Sequence, residues 1–394
     1  MRWSDGGSRA DTNLVAALYR AAIQFRGWWP AMTGVVVEQD VAPSAPAARW
    51  WRITLAIVVL AAAAWAAGRA SAAGASWTTA LGLIGGLPWF EIFGLAVLWI
   101  LGLNVHTIVL AASLPGLSRR RALTLNLTGS AVSNVLPLGG LAGTALNLSM
   151  TRSWGHSRLH FARFVVVSKA CDIVAKLVIP AVALVALLAT GVLTTTGAGP
   201  WVIPAACGFV SGALLLWALC GRATPLLYVV GVAARACAWA TRGRAVGTAW
   251  PATVLTLLEG TDVLVRRRRV ALTLGMAGYW LAQGALLWCC LSAVGLRLPP
   301  AVVFAGLAVE RAMILLPITP GGAGPAEAGM VSVLIALGVD PTGALAGVLL
   351  FRGFVFAAEI PVGAAVGLGW WATRRLSARR DPGRSRHGAP PVCA

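Results

Sequence analysis

Residues 316–327 read LPITPGGAGPAE, with Pro317, Pro320 and Pro325 set among Gly321, Gly322 and Gly324 in an otherwise apolar stretch, 301–337. Proline removes a helix donor and glycine weakens the turn, so this stretch is not expected to form one straight helix. A second apolar stretch, 124–150, breaks the same way at Leu136-Pro137-Leu138-Gly139-Gly140. Around these two breaks the chain is built of longer, cleaner apolar runs at 50–68, 88–114, 158–191, 201–220, 270–294 and 341–371. Several approach the ~20 residues that a helix needs to cross a hydrocarbon core.

Composition agrees with a membrane protein. The 394 residues are 58% hydrophobic and 11% charged, with a mean hydropathy of +0.78, whereas a soluble domain carries about 25% charge. The formal net charge of +19 invites a nucleic-acid reading, but its distribution argues otherwise. Of the 32 basic residues, 26 fall in 1–52, 115–123, 151–163, 221–269 and 372–394. That asymmetry is the positive-inside pattern and assigns those five segments to the cytoplasm. Residues 1–49 form a cytoplasmic arm with little expected order, 221–269 a basic loop with an amphipathic helix on anionic lipid, and 373–394 a basic tail. The seven cysteines show no CxxC pair and no spaced histidine partners, so neither a disulfide framework nor a metal site is expected.

Charge also says how the broken stretches lie. Arg119, Arg120 and Arg121 precede the first and Arg152 and Arg158 follow it, so both its ends belong on the cytoplasmic side. The second has nearly uncharged connections on either side, which places its ends outside. The expectation is an all-α polytopic membrane protein of about six spanning helices plus two re-entrant Pro/Gly-broken helical hairpins. Both termini are then cytoplasmic, with the membrane domain at 50–372. The halves, about 88–191 and 270–371, also match in spacing: Gly155 to Lys169 and Gly338 to Arg352 are both 14 positions. One run lies between them, so the second copy enters from the opposite face. That is an inverted repeat, the plan of many transporters, whose substrates sit near the midplane at the repeat interface.

Ionisable groups inside spanning segments cost ~2.5–3.5 kcal/mol each even on insertion scales. Here Lys169, Asp172 and Lys176 share one helix face at spacings of three and four, and these lysines are the only two in the chain. The second half contributes Glu310, Arg311, Glu327, Arg352 and Glu359. Four charges of each sign suit internal ion pairs, a polar path or headgroup site, or both. Each break releases a half-helix, near Leu141 and near Pro325, whose free N–H groups suit an anion such as a phosphodiester. The glycines Gly139 and Gly140 equally suit close helix packing. Asn134 is placed either to cap freed backbone or to bind a ligand. His106 and Glu91 are weaker signals.

Asn134-x-Leu136-Pro137 with Gly139-Gly140, a cation followed by Asp172, and Pro317…Pro320-Gly321-Gly322-x-Gly324-x-x-Glu327 with Arg352 resemble the flippase-like membrane domain of lysylphosphatidylglycerol synthases. The resemblance covers roughly 50–372. It departs at Ser168-Lys169-x-x-Asp172, where that family usually has Glu-Arg-x-x-Asp, and at Pro325. The resemblance implies lipid handling: moving a phospholipid or polyprenyl-linked lipid between leaflets of the plasma membrane, without cofactor. The family's aminoacyl transfer resides in a soluble C-terminal domain, and about twenty residues follow Trp371 here, so that chemistry is not expected. The partners implied are anionic membrane lipids, not nucleic acid, and a separately encoded glycosyltransferase or synthase is an alternative partner. An intramembrane transferase using Glu327 or Asp172 as base is the remaining reading. No nucleotide loop or nucleophile triad supports it.

Overall fold

The computed structural model describes residues 74–136, 139–191, 250–314 and 319–380, with isolated positions at 68–71 and 204–214. The expected arm (1–49), the spanning runs at 50–68 and 201–220, most of the basic loop, the tail beyond 380, and Pro137, Leu138, Leu316, Pro317 and Ile318 fall almost wholly outside these residues.

All regular structure among the described residues is helical. Helix α1 (Trp77–Gly85) leads through Pro88 into α2 (Trp89–Ser113). The first broken stretch is α3 (Arg119–Val135) and α4 (Gly139–Ser153), followed by α5 (Arg158–Ala189). The second half repeats the order: α6 (Trp250–Ala293), α7 (Pro300–Ile314), a 3₁₀ turn (Pro320–Gly322) and α8 (Pro325–Ala336). It closes with α9 (Pro341–Arg352), a π-helical segment (Gly353–Ala358) and α10 (Glu359–Arg380). Four stretches are long and apolar enough to cross a membrane: Trp89–Ser113, Arg158–Ala189, Gly260–Ala293 and Pro341–Leu376. They correspond to the expected runs at 88–114, 158–191, 270–294 and 341–371. Helices α3, α4, α7 and α8, at 17, 15, 15 and 12 residues, are shorter than the ~20 a crossing needs.

One boundary differs from expectation. The expected basic loop, 221–269, overlaps α6, which begins at Trp250 and carries Arg266 to Arg269 on the same helix as the span. A charge run does not break a helix, and no proline interrupts the chain between Pro251 and Ala293. Asp262 adds an i,i+4 pair to Arg266 at 2.9 Å on this exposed turn.

Each broken stretch folds into an antiparallel hairpin. In the first, Gly129 lies against Asn147, Gly143 against Gly129 and Ser133, and Gly139 against the Ser133 backbone. A Cβ at Gly139 or Gly143 would collide with the facing helix, so these glycines set how closely α3 and α4 approach. In the second, Gly306 lies against Leu334, Gly329 against Val309 and Met313, and Gly322 against Ile314. The outer ends of each hairpin come together as well. Arg121 stacks over Trp154 at 5.3 Å, and Gly116 sits beside His156. On the other hairpin Leu296 packs on Gly343. His156, in the turn outside the spans, has its pKa lowered by partial burial beside His160 and Arg121.

The halves interlock by exchange. Helix α3 packs along α10, α7 packs along α5, and α2 runs against α6. Gly363 of α10 rides so close to the Leu127 carbonyl that no side chain fits between them. Matching turns enter the matching helices: Gly116 and Gly295 before the hairpins and Gly155 and Gly338 after them all have positive φ. Ser157 and Asp340 then cap α5 and α9, accepting from His160 and Gly343. The larger hydrophobic core draws on both halves, with Leu103, Val109 and Val167 from the first and Leu286, Leu291, Leu307 and Phe351 from the second. Trp89, 78% exposed at the start of α2, fits an interfacial anchor.

Candidate functional site

Two polar centres lie inside this framework, one closed and one open. The closed centre is organised by Arg352, the last residue of α9, only 5% exposed. Its Nε donates to Glu327 Oε1 at 2.6 Å, its Nη1 to Glu310 Oε1 at 3.2 Å and its Nη2 to the Gly321 carbonyl at 3.0 Å. Phe356 covers the guanidinium at 4.9 Å. Every nitrogen direction of the fork is therefore used, which suits a buried arginine. Glu310 is fully buried, and its other oxygen lies 2.7 Å from Arg311 Nε without hydrogen-bond alignment.

Glu327 has a second task. Its Oε2 accepts from the Gly324 N–H at 2.7 Å, the glutamate half of a capping box at the start of α8. Gly324 adopts φ +91°, a conformation that favours glycine, and Pro325 at the first helical position is preset for a helix start. The half-helix expected near Pro325 thus exists, with its N-terminus met by Glu327. Pro320, Gly321 and Gly322 form the adjoining 3₁₀ turn. Gly321 sits between the Phe356 ring and Asn134 Oδ1, and Asn134 Nδ2 makes a long bond, 3.5 Å, to the Phe356 carbonyl in the π-helical segment. The tips of the two hairpins meet at this point. A π-helical segment leaves backbone partly unpaired and often marks a functional position.

The open centre is a cavity of about 270 Å³ between the first hairpin and α2, α5, α6 and α7. Of the residues expected at a site, Asn134, Gly140, Lys169, Asp172 and Arg311 line it. Gly140 has open space where Gly139 has none. Lys176 is bound to Asp172, Nζ to Oδ2 at 2.7 Å, with both side chains mostly buried. Lys169 makes no ion pair or hydrogen bond among the described residues and is exposed to the cavity. Arg311 stacks on Trp280 at 4.7 Å and keeps Nη2 without a partner. The cavity wall therefore carries an uncompensated positive charge at Lys169, and spare guanidinium donors at Arg311.

Lys169 and Arg352 lie in different centres: Lys169 lines the cavity, while three acceptors in the closed centre hold Arg352. Glu310 and Glu327 accompany Arg352 in the closed centre. Glu359 is buried beside Ser130 of α3. The half-helix expected near Leu141 begins at Gly139.

Several lining residues escaped the sequence reading: Asn126, Ser130, Asn147, Thr144, Ser168 and Tyr279. They carry no charge, and only the two asparagines, set within apolar segments, offered a signal. His106, read as a weak signal, lines the cavity and stacks on Tyr279 at 4.3 Å, with Nδ1 unpartnered.

A family model described as the lysylphosphatidylglycerol synthase TM region matches residues 31–363. No curated protein and no solved structure matches the chain.

Proposed function

The chain belongs to the lysylphosphatidylglycerol synthase transmembrane family, and on that premise we propose that it carries an anionic lipid headgroup between leaflets of the plasma membrane. The headgroup is held in the cavity beside Lys169, with Arg311 as the second cation. The observation that carries this reading is Lys169: a cation with no ion-pair partner, standing in a polar cavity where an unpaired charge is costly. A bound phosphate supplies the missing partner. Acyl chains stay in the bilayer, since the cavity has room for a headgroup alone.

The transport plan on this reading is an inverted repeat of six spans and two re-entrant hairpins, with both termini in the cytoplasm. Support comes from the exchanged packing of α3 on α10 and α7 on α5, from the paired positive-φ glycines, and from the adjacent outer ends of each hairpin. Labelling single cysteines at Pro115 and Ser153, in a cysteine-free background, should then succeed from the same side of the membrane. Reaction from opposite sides would make α3 and α4 two crossings and remove the repeat.

Function is tested at Lys169. In reconstituted vesicles, Lys169→Gln is expected to slow transfer of an anionic phospholipid roughly tenfold or more, as a lost charge-assisted bond of ~1.5–3 kcal/mol requires. Transfer at the parent rate by the folded variant would sink the headgroup role.

A further inference from the structure

We propose that the closed centre sets how tightly the cavity holds its anion, through Glu310, a carboxylate that Arg311 and Arg352 share; this rests on the headgroup reading above. Glu310 and Arg311 are neighbours on α7, and each belongs to a different centre. Glu310 is fully buried against Arg352, whereas Arg311 lines the cavity. The link between the two is loose. Glu310 Oε2 and Arg311 Nε stand 2.7 Å apart, yet neither atom has a hydrogen bond, and Arg311 Nη2 has none either. Charge attraction holds the pair while its hydrogen-bonding capacity stays unused. A phosphate oxygen in line with those guanidinium donors offers charge-assisted bonds that Glu310 does not. Arg311 is therefore contested between the carboxylate behind it and the anion in front.

What decides the contest lies on the far side of Glu310. Arg352 reaches Glu310 at 3.2 Å, the longest of its three bonds, because Glu327 at 2.6 Å and the Gly321 carbonyl at 3.0 Å hold the rest of the fork. Both of those acceptors belong to the tip of the second hairpin and the start of α8. While they are docked, Glu310 keeps charge to spare for Arg311. When they withdraw, Glu310 is the partner left to Arg352, a bidentate pair becomes open to them, and Arg311 is released to the cavity. The structure is thus the arrangement of weaker hold, with the tip docked and Arg311 drawn back. Coupling runs both ways: an anion that takes Arg311 turns Glu310 toward Arg352 and loosens the second hairpin. A shared carboxylate with two arrangements, biased from each side, is the physical element such coupling requires. It gives a carrier what it needs, a headgroup bound firmly in one state and let go in another.

The test is the affinity of the full chain in detergent for phosphatidic acid, with transfer of the same lipid in reconstituted vesicles as second readout. Glu310→Gln keeps the shape of the side chain and an acceptor for Arg352 but gives up Arg311. It is expected to bind about fivefold tighter or more, the lower range of coupling between sites. Glu327→Gln touches neither Arg311 nor the cavity, and it should tighten binding too, since Arg352 then turns toward Glu310. Both variants should transfer lipid more slowly, because release is held back. In an Arg311→Gln background, Glu310→Gln should change affinity by less than about twofold, as a cycle through one shared residue requires. Unchanged or weaker binding in the monodisperse glutamate variants overturns the coupling and leaves the headgroup reading intact. An undiminished gain in the Arg311→Gln background also overturns it, since that marks only the field of a removed charge. Phosphatidic acid binding that is indifferent to Lys169→Gln overturns the headgroup reading itself.

Discussion

Replacing Arg352 with leucine is expected to destabilise the protein by about 3–5 kcal/mol, the cost of leaving buried charges without their partner. The change strands Glu310, which has no exposed surface, and Glu327, and it frees the Gly321 carbonyl at the hairpin tip. Lysine is not expected to rescue it. A single ammonium cannot present three donors in the directions that the guanidinium fork reaches. Adding Glu310→Gln to Arg352→Leu should recover part of the loss, because one of the two stranded charges is then removed. Thermal unfolding in detergent, with the monodisperse fraction as a second readout, measures all three variants. A parent-like Arg352→Leu would mean that the closed centre does not hold the second half together.

The second large effect is expected at Lys176. Lys176→Met removes the 2.7 Å partner of Asp172 and should cost about 3 kcal/mol, with Lys176→Met and Asp172→Leu together restoring most of it. Lys169→Met, only seven positions away, should stay within about 0.5 kcal/mol of the parent, since it breaks no ion pair. The same thermal measurement separates them. Equal losses at the two lysines would show Asp172 shared between them.

That contrast marks where the sequence stops being informative. Asp172 has a lysine three residues before it and another four after it, and both lie on its face of the helix. Periodicity alone cannot choose between them; the choice depends on rotamers and on what the neighbouring helices leave open. Arg352 is a similar case. Its rarity within an apolar run announced a buried cation, but its acceptors come from positions 25, 31 and 42 residues earlier, brought close only by folding. The four spans among the described residues and both breaks were legible because they rest on local properties: apolar length, a missing proline donor, a glycine turn. The start of α6 was not, because the arginines of 266–269 suggested a loop where the helix simply continues out of the apolar region. The cavity's neutral lining left the least trace. Asparagine, serine and threonine are ordinary residues until several face the same space.

The uncompensated charge at Lys169 has an electrical consequence for the proposed carrier. With an anionic headgroup bound, the pair is close to neutral, and its passage is nearly indifferent to the membrane potential. Without lipid, the site carries one positive charge, and its return toward an inside-negative cytoplasm gains ~2.3 kcal/mol per 100 mV. The potential then acts on the unloaded leg of the cycle and favours net outward delivery. A membrane voltage alone gives such a carrier its direction, with no nucleotide to spend.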